Sequence, residues 1–393
     1  MRSVGVVAVY AGWTAPRVSP GSNRRGGDGA PSLNFPGLTR DFDATFVFRV
    51  YAESVPFARQ VFPFLFNLKR VNAMNIKLLK SVTLVAGAVA AMASTSALAQ
   101  TTIYGLIDIG YGVNEGVTGK GSKADFHSGG DNDSSELNST TRVGVKGSYD
   151  LGSGLKGNFK FETAGITSDG KVGSVDGTRF FNRQAWAGLS GGFGEVRLGR
   201  MDSIAFQTMI DFDFNGASNS TMATGNVGVA PITGRLNKTL QYFAPAMGGV
   251  QFRAGVQMKG DDAAAKDNVG VGLNYSAGPL SLGAAYETKR TPTGNDFTTV
   301  GAVYNFGAFK LGATYADGGK NATGYGLSAE TKVNGIALGV QYAENSDTKK
   351  KATEVYANKE LLKNLYGYVQ FGSWKTPANQ SLQAYGVGAI LVF

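Results

Sequence analysis

Apolar and polar residues alternate along most of this chain. From Thr101 onward the alternation has a period of two residues, and helical periodicity is almost absent. The alternating segments are about ten residues long and are bounded by turn-forming residues, which is typical of strands that cross a membrane in a β-barrel. We count sixteen such segments, at 101–112, 140–149, 155–165, 179–190, 194–200, 235–244, 250–259, 267–277, 279–289, 296–306, 308–317, 323–333, 335–345, 351–361, 364–374 and 382–393.

The connectors between these segments alternate between short and long. The short ones contain pairs such as Asn334-Gly335, which tolerate the positive φ of a tight hairpin. The longer ones lie at 113–139, 166–178, 201–234, 260–266, 290–295, 318–322, 346–350 and 375–381. An even number of antiparallel strands closes without an unpaired edge. The sequence therefore predicts an all-β fold, a 16-stranded antiparallel transmembrane β-barrel with short periplasmic turns and long external loops.

The two faces of the predicted strands differ in chemistry. In 140–149, Arg142 and Lys146 share one side, and Val143 and Val145 share the other. The apolar face often ends in Tyr or Phe, as in the aromatic girdle of a membrane protein. By the same alternation, Asp108, Lys146 and Lys160 point inward. A soluble β-sandwich also alternates, so the periodicity alone leaves that alternative open.

The last predicted strand is apolar on every second residue. These positions are expected to face lipid, and the strand must pair with 101–112 to close the barrel. They are Tyr385, Val387, Ala389, Leu391 and Phe393.

The front of the chain does not share this pattern. Residues 74–99 have a positive start, a short apolar core at 82–92 and the small residues Ala97 and Ala99 before Gln100, which is the layout of a cleaved signal peptide. Residues 1–73 precede it and are rich in Pro, Gly and Arg in their first part. We therefore expect Met74 to be the true start, 1–73 to be a spurious or disordered extension, and 100–393 to be the exported barrel.

Composition excludes several classes of function. The chain has no Cys and one His, His127, so no disulfide or cysteine-ligated metal site is expected, and no cofactor is predicted. Its formal charge is +9, of which residues 1–73 carry +5, 74–99 carry +2 and 100–393 carry +2. The predicted barrel is therefore nearly neutral, and no nucleic-acid partner is expected.

Four motifs in order resemble a known family. They are TIYGLIDIGYG (102–112), TRVGVKGSYDLGSGLKGNFKFETAG (141–165), RFFNRQAWAGLSGGFGEVRLGR (179–200) and GRLNKTLQYFAPAMGGVQF (234–252), followed by the final Phe393. Together they resemble the trimeric general porins of Gram-negative outer membranes, of the betaproteobacterial type, over essentially all of 101–393. Thr141 replaces the usual Ser, Asn158 lies near a usual Ala, and the third loop lacks the Pro-Glu-Phe-Gly run of some relatives.

The resemblance implies where the functional residues lie. In such porins the third loop, here 201–234, folds into the pore, and a ladder of basic residues lines the opposite wall. Arg142, Arg183 and Arg235 match the motif positions of that ladder, and Lys146 and Lys160 share the inward face. Asp211 and Asp213 are the candidate acidic residues of the loop. The alternatives are that the arginines only fix loop 3 through ion pairs, and that the two aspartates are merely solvated.

The resemblance also implies partners and a function. A homotrimer is expected, in contact with outer-membrane lipid and lipopolysaccharide. Phe393, with Leu391 and Tyr385, would be the signal for the barrel-assembly machinery. We expect a channel for passive diffusion of small hydrophilic solutes and ions, weakly preferring anions, and no enzyme. The alternatives are an outer-membrane barrel enzyme and a secreted β-rich adhesin.

Overall fold

The computed structural model describes residues 100–172, 179–262, 264–376 and 378–393. The predicted extension at 1–73 and leader at 74–99 lie outside these residues. The described part of the chain contains seventeen strands: β1 Gln100–Asn114, β2 Asp125–Ser128, β3 Arg142–Gly152, β4 Leu155–Ala164, β5 Gln184–Gly191, β6 Gly194–Asp202, β7 Arg235–Phe243, β8 Val250–Gln257, β9 Asn268–Ala277, β10 Leu280–Glu287, β11 Phe297–Asn305, β12 Phe309–Asp317, β13 Thr323–Val333, β14 Ile336–Asn345, β15 Lys351–Leu362, β16 Leu365–Lys375 and β17 Ser381–Val392.

Sixteen of these strands form a closed antiparallel barrel, which confirms the predicted architecture. Each wall strand from β3 to β17 pairs with its neighbour in sequence, and β1 closes the ring by pairing with both β3 and β17. The seventeenth strand, β2, was not predicted. It pairs with β1 from Ile109 to Gly112, in the external half of that strand. In the other half, β1 pairs instead with β3 on the same edge. The segment predicted at 179–190 becomes a strand only from Gln184.

The alternation separates an apolar outer face from a polar inner face. In β12, Phe309, Leu311 and Tyr315 are exposed on one face, whereas Lys310 and Gly312 lie on the other. Such exposure of large apolar side chains is expected where the surrounding solvent is hydrocarbon, and closure of the sheet satisfies the backbone hydrogen bonds there. Among the described residues, no helix is long and apolar enough to cross a membrane.

The barrel is closed next to its last residue. Leu106 pairs with Val392, and the backbone N–H groups of Gly105 and Phe393 each donate to the carbonyl oxygen of the other residue, at 2.9 and 3.1 Å. The Phe393 ring lies against Gly105, where a Cβ atom would overlap the ring. Glycine at position 105 thus leaves space for the aromatic ring on the outer face.

Short helices occur only in the loops of the described chain. They are α1 Glu115–Thr118, α2 Asp131–Ser134, α3 Ile204–Met209, the 3₁₀ helix η1 Ile210–Phe212 and α4 Ala223–Asn226. The last three belong to loop 3, residues 203–234 between β6 and β7. Ser203 begins the loop as the N-cap of α3, because its Oγ accepts a hydrogen bond from the Phe206 N–H at 3.0 Å.

Loop 3 lies against the inner face of the barrel. Its side chains contact Gly272, Gly283 and Gly301, and the neighbouring residues Leu273 and Leu282 point to the exposed outer face.

The second half of loop 3 also packs against the wall. Helix α4 lies against β13–β16, where Val227 and Ala223 pack with Ala343, Ala352 and Trp374. The third loop is therefore folded into the barrel, as the resemblance implied.

Candidate pore constriction

The inward face of β3 and β4 carries three of the predicted basic residues. Arg142 and Lys146 lie on β3, and Lys160 pairs with Lys146 across the β3–β4 register. The opposite face of the same strands carries Tyr149, Phe159 and Phe161, whose rings form a continuous row with centroid spacings of 6.2 and 5.9 Å. Strand alternation thus places the cations in the lumen and the aromatic rings outside.

Glu162 is the centre of one charged cluster on this wall. Its Oε1 lies 2.5 Å from Arg183 Nε, and its Oε2 lies 3.6 Å from Lys160 Nζ. The Tyr104 hydroxyl donates to Oε2 at 2.6 Å. Arg142 lies within electrostatic range of both Glu162 and Arg183. One carboxylate therefore faces three cationic side chains.

Asp202 is the centre of the adjoining cluster. Arg235 Nε lies 2.9 Å from Asp202 Oδ1, and Gln184 donates to Oδ2 at 2.7 Å. The Arg235 guanidinium also lies 5.8 Å from the ring of Phe206 in loop 3. Glu162 and Asp202 are both on barrel strands, so the ion pairs of Arg183 and Arg235 are made within the wall and not to loop 3.

The cations of this wall are more accessible to water than Glu162 is. The side chains of Lys160, Arg183 and Arg235 are 30, 18 and 24% exposed, whereas that of Glu162 is 4% exposed and that of Asp202 is 17% exposed. Lys146 is exposed, and its Nζ lies 5.0 Å from the centre of the Tyr104 ring. The five predicted cations therefore share one wall with two carboxylates, an excess of three positive charges.

The two aspartates of loop 3 have different surroundings. Asp211 is exposed and lies within electrostatic range of Arg253 on β8. Asp213 is buried, and its Oδ1 accepts hydrogen bonds from the N–H groups of Asn215 and Ala217, both at 3.0 Å. Burial raises the pKa of Asp213. Asp213 thus fixes the turn of loop 3, and its Oδ1 also accepts a hydrogen bond from Gln341 Nε2 of β14 at 3.2 Å.

Loop 3 also covers carboxylates of the barrel wall. Glu354 is fully buried, and its Oε1 accepts hydrogen bonds from Asn215 Nδ2 and Thr221 Oγ1, both at 2.7 Å. Glu287 is also buried and accepts from the N–H of Ala205 at 2.8 Å and from the Thr233 hydroxyl at 2.7 Å. These carboxylates therefore accept hydrogen bonds from loop 3 and are shielded by it from the water of the lumen.

Asp108 points inward as predicted, but it is not open to the lumen. It is fully buried, and its Oδ2 accepts hydrogen bonds from the N–H groups of Asn138 and Ser139 at 3.1 and 2.7 Å. The Tyr368 hydroxyl donates to its Oδ1 at 2.9 Å. Asp108 therefore fixes the end of loop 1 to the wall.

Several luminal cations were missed by the sequence analysis. A bulge between Gly199 and Met201 interrupts the alternation of β6, and it brings Arg200 to Asn237 and within range of Arg235. Others, which strand alternation could have found, are paired to luminal partners. Arg197 lies 2.6 Å from Glu195, Arg253 contacts Asn274, and Lys310 lies 3.0 Å from Glu330.

The predicted lipid-facing residues of β17 lie on the outer face. Tyr385, Val387, Leu391 and Phe393 are all exposed, and Leu382 and Ala384 on the other face are buried. Within the described ranges, no group of three or more His, Asp or Glu side chains is arranged to hold a metal ion.

Comparison with known proteins places this geometry in a family. The family profile described as Gram-negative porin matches residues 85–360. Outer membrane porin protein 32 of Delftia acidovorans is 30% identical over 334 residues, which cover 76% of this chain and 91% of that protein. An outer membrane porin protein of Bordetella pertussis is 32% identical over 277 residues, covering 62% of this chain and 71% of that protein.

Solved structures share the fold. The anion-selective porin from Comamonas acidovorans superposes with a TM-score of 0.60 at 24% identity, covering 75% of this chain and all of that chain. A mutant of the Rhodopseudomonas blastica porin superposes with a TM-score of 0.59 at 15% identity, with 75% of this chain and all of that chain covered.

A closed sixteen-strand barrel with an inward loop and a charged lumen defines a membrane channel. The chain belongs to the Gram-negative porin family and is a porin of the outer membrane.

Proposed function

We propose that this porin is a passive channel with a weak preference for anions, set by Arg142, Arg183, Arg235, Lys146 and Lys160. The observation that carries the proposal is the unequal accessibility of the luminal charges. The basic side chains keep contact with water, whereas Glu354 and Glu287 are buried under loop 3. On this wall the charges in contact with water are mostly basic, and donors of loop 3 compensate the charges of Glu354 and Glu287, so the field on a passing ion is positive.

The basic wall provides this field without any chemical step. Rings and rows of fixed charge set the ion preference of a pore, because they lower the energy of the opposite ion inside it. Arginine suits this position because its guanidinium remains charged at any physiological pH. The excess of three positive charges over Glu162 and Asp202 is small, which supports a weak preference and not strict selectivity.

The alternative role of the arginines, fixing loop 3, has less support. The carboxylate partners Glu162 and Asp202 are wall residues, and among the contacts described for the three arginines the one that reaches loop 3 joins Arg235 to the ring of Phe206. The name of the Comamonas acidovorans structure, an anion-selective porin, agrees with the proposed preference.

The test is the zero-current potential of the purified porin in a planar bilayer under a KCl gradient. We expect the sign of an anion-preferring pore, and a decline of the potential as total salt is raised. A clear cation preference would contradict the proposal. Conductance steps grouped in threes would support the proposed homotrimer, and uniform single steps would argue against it.

The remaining partners follow from the family and are part of the proposal. The last strand, with Tyr385, Leu391 and Phe393, would be read by the barrel-assembly machinery, and the outer face would contact lipid and lipopolysaccharide. Residues 74–99 would be the export signal, and cleavage at the site marked by Ala97 and Ala99 would leave Gln100 as the first residue of the mature chain.

We propose a channel and not an enzyme. His127 lies in loop 1 with its Nδ1 3.6 Å from Asp131, and Asp131 is engaged by the N–H groups of Ser128 and Ser168. This histidine therefore offers no support for catalysis. A purified preparation that hydrolysed lipid or peptide bonds would contradict this part of the proposal.

A further inference from the structure

The contact between loop 3 and the barrel wall is made over glycine residues. The inward positions beneath the first half of the loop are Gly270, Gly272, Gly283, Gly301 and Gly312, on four adjacent strands. We call these five residues the glycine seat. The loop side chains that lie on it, among them Ile204, Thr208, Met209 and Phe212, are buried.

The seat has no room for a larger side chain. A Cβ atom at Gly272 would overlap Thr208 Oγ1 and lie 3.0 Å from Ile204 Cγ2. A Cβ atom at Gly283 would lie 2.6 Å from the ring of Phe212 and 3.0 Å from Met209 Sδ. These distances are shorter than ordinary contacts between carbon atoms, which are about 3.5–4.0 Å.

Backbone conformation does not require glycine at these positions. None of the five has a positive φ, although many glycines of the turns do. Glycine inside a strand weakens it, because it has no side chain to pack and more entropy to lose. The reason for glycine here is therefore the close approach of loop 3 to the wall.

We propose that the glycine seat sets the position of loop 3, and so the width of the pore and the largest solute that passes. This inference rests on the proposed channel function. Loop 3 lies between the seat and the lumen, so an atom added to the seat pushes the loop away from the wall and into the lumen. Gly272 and Gly283 are thus positioning residues for the pore constriction.

The test compares variants of the full porin, in which folding is checked by heat-modifiable gel mobility. Gly272→Ala should lower the single-channel conductance and reduce the size of the largest sugar that enters liposomes, and Gly272→Ala/Gly283→Ala should lower both further. The matched control is Gly386→Ala, an inward strand glycine whose Cβ would meet only ordinary contacts, with Leu137 at 3.5 Å. The control should conduct like the parent protein.

A compensating change distinguishes positioning from general damage. Thr208→Ala removes the atom that the new methyl group would overlap, so Gly272→Ala/Thr208→Ala should recover conductance relative to Gly272→Ala alone. Should Gly272→Ala fail to fold, Gly312→Ala gives the same test, since its Cβ would lie 2.8 Å from the ring of Phe214.

The outcomes separate this inference from the proposed function. A parent protein that does not conduct would refute the channel. A conducting parent with folded alanine variants of unchanged or larger conductance, or with no recovery in the double variant, would refute only the glycine seat.

Discussion

Replacement of Lys146 isolates the electrostatic effect of one luminal charge. Among the described ion pairs none includes Lys146, and its ammonium group is exposed and 5.0 Å from the centre of the Tyr104 ring. Its removal therefore breaks no described ion pair, whereas removal of Arg183 or Arg235 would break the pair with Glu162 or with Asp202. Lys146→Gln changes the wall by one unit of charge, and Lys146→Glu by two.

The expected magnitude follows from Coulomb's law. A unit charge about 8 Å from a passing ion in water contributes about 0.5 kcal/mol, which favours an anion and disfavours a cation. At low salt the ratio of anion to cation permeability should therefore fall by up to about sixfold in Lys146→Gln and by up to about thirtyfold in Lys146→Glu, because residual screening by salt reduces the unscreened energy. In 1 M salt the Debye length is about 3 Å, so both differences should nearly vanish.

The assay is the zero-current potential in a KCl gradient, measured at two total salt concentrations. The control is Lys351→Gln, which removes a cation paired with Glu344 at 3.6 Å on the outer rim and should leave the potential unchanged. Equal potentials for Lys146→Gln, Lys146→Glu and the parent at low salt would refute the reasoning, as would a shift that persists in full at 1 M.

Two further predictions concern loop 3 and closure of the barrel. Burial raises the pKa of Asp213, so the folded state binds its proton more tightly than the unfolded state. The stability from this group is complete below the unfolded pKa and is lost as pH rises through the folded pKa. Protease cleavage of loop 3 should therefore increase with rising pH, and Asp213→Asn should reduce this increase; an equal increase in both proteins would refute it. Gly105→Leu should lower the folded fraction on a heat-modifiability gel, because its side chain would overlap the Phe393 ring at the closing strand pair. A normal folded fraction would show that the ring does not need this space.

Most of the barrel wall could be predicted. Its strands have water on one face and hydrocarbon on the other, so polar and apolar residues alternate with a period of two. In β13 the predicted bounds, 323–333, agree with the observed strand, because successive side chains face water and hydrocarbon in turn. Strand β2 gave no such signal. It is four residues long and pairs only with the external half of β1, so neither its length nor its faces separate it from a loop.

The strand positions of Arg142, Lys146 and Lys160 could be predicted, whereas the orientation of Asp213 in loop 3 could not. Arg142, Lys146 and Lys160 lie on regular strands, where alternation fixes the direction of the side chain. The direction of the Asp213 side chain depends on the turn that it forms with Asn215 and Ala217. Such a turn has no periodic sequence pattern from which the direction could be predicted. Alternation also failed at Arg200, because the β6 bulge shifts the register there.

The chain contains 56 glycine residues, and their composition alone does not distinguish their roles. A turn glycine such as Gly335 follows from its Asn-Gly pair and has a φ of +79°. By contrast, Gly272 and Gly283 require glycine because of loop residues some sixty or more positions earlier in the chain. Such a tertiary contact leaves no local pattern.

The central claim is that water fills the inside of the barrel and hydrocarbon surrounds the outside. Because the chain contains no Cys, single cysteine variants can report the solvent at each position, by reaction with a charged, membrane-impermeant thiol reagent in a bilayer during conductance recording. The account predicts that Lys146→Cys reacts and that its conductance changes, whereas Leu311→Cys, on the exposed apolar face of β12, does not react. Reaction at Leu311→Cys together with protection of Lys146→Cys would contradict it.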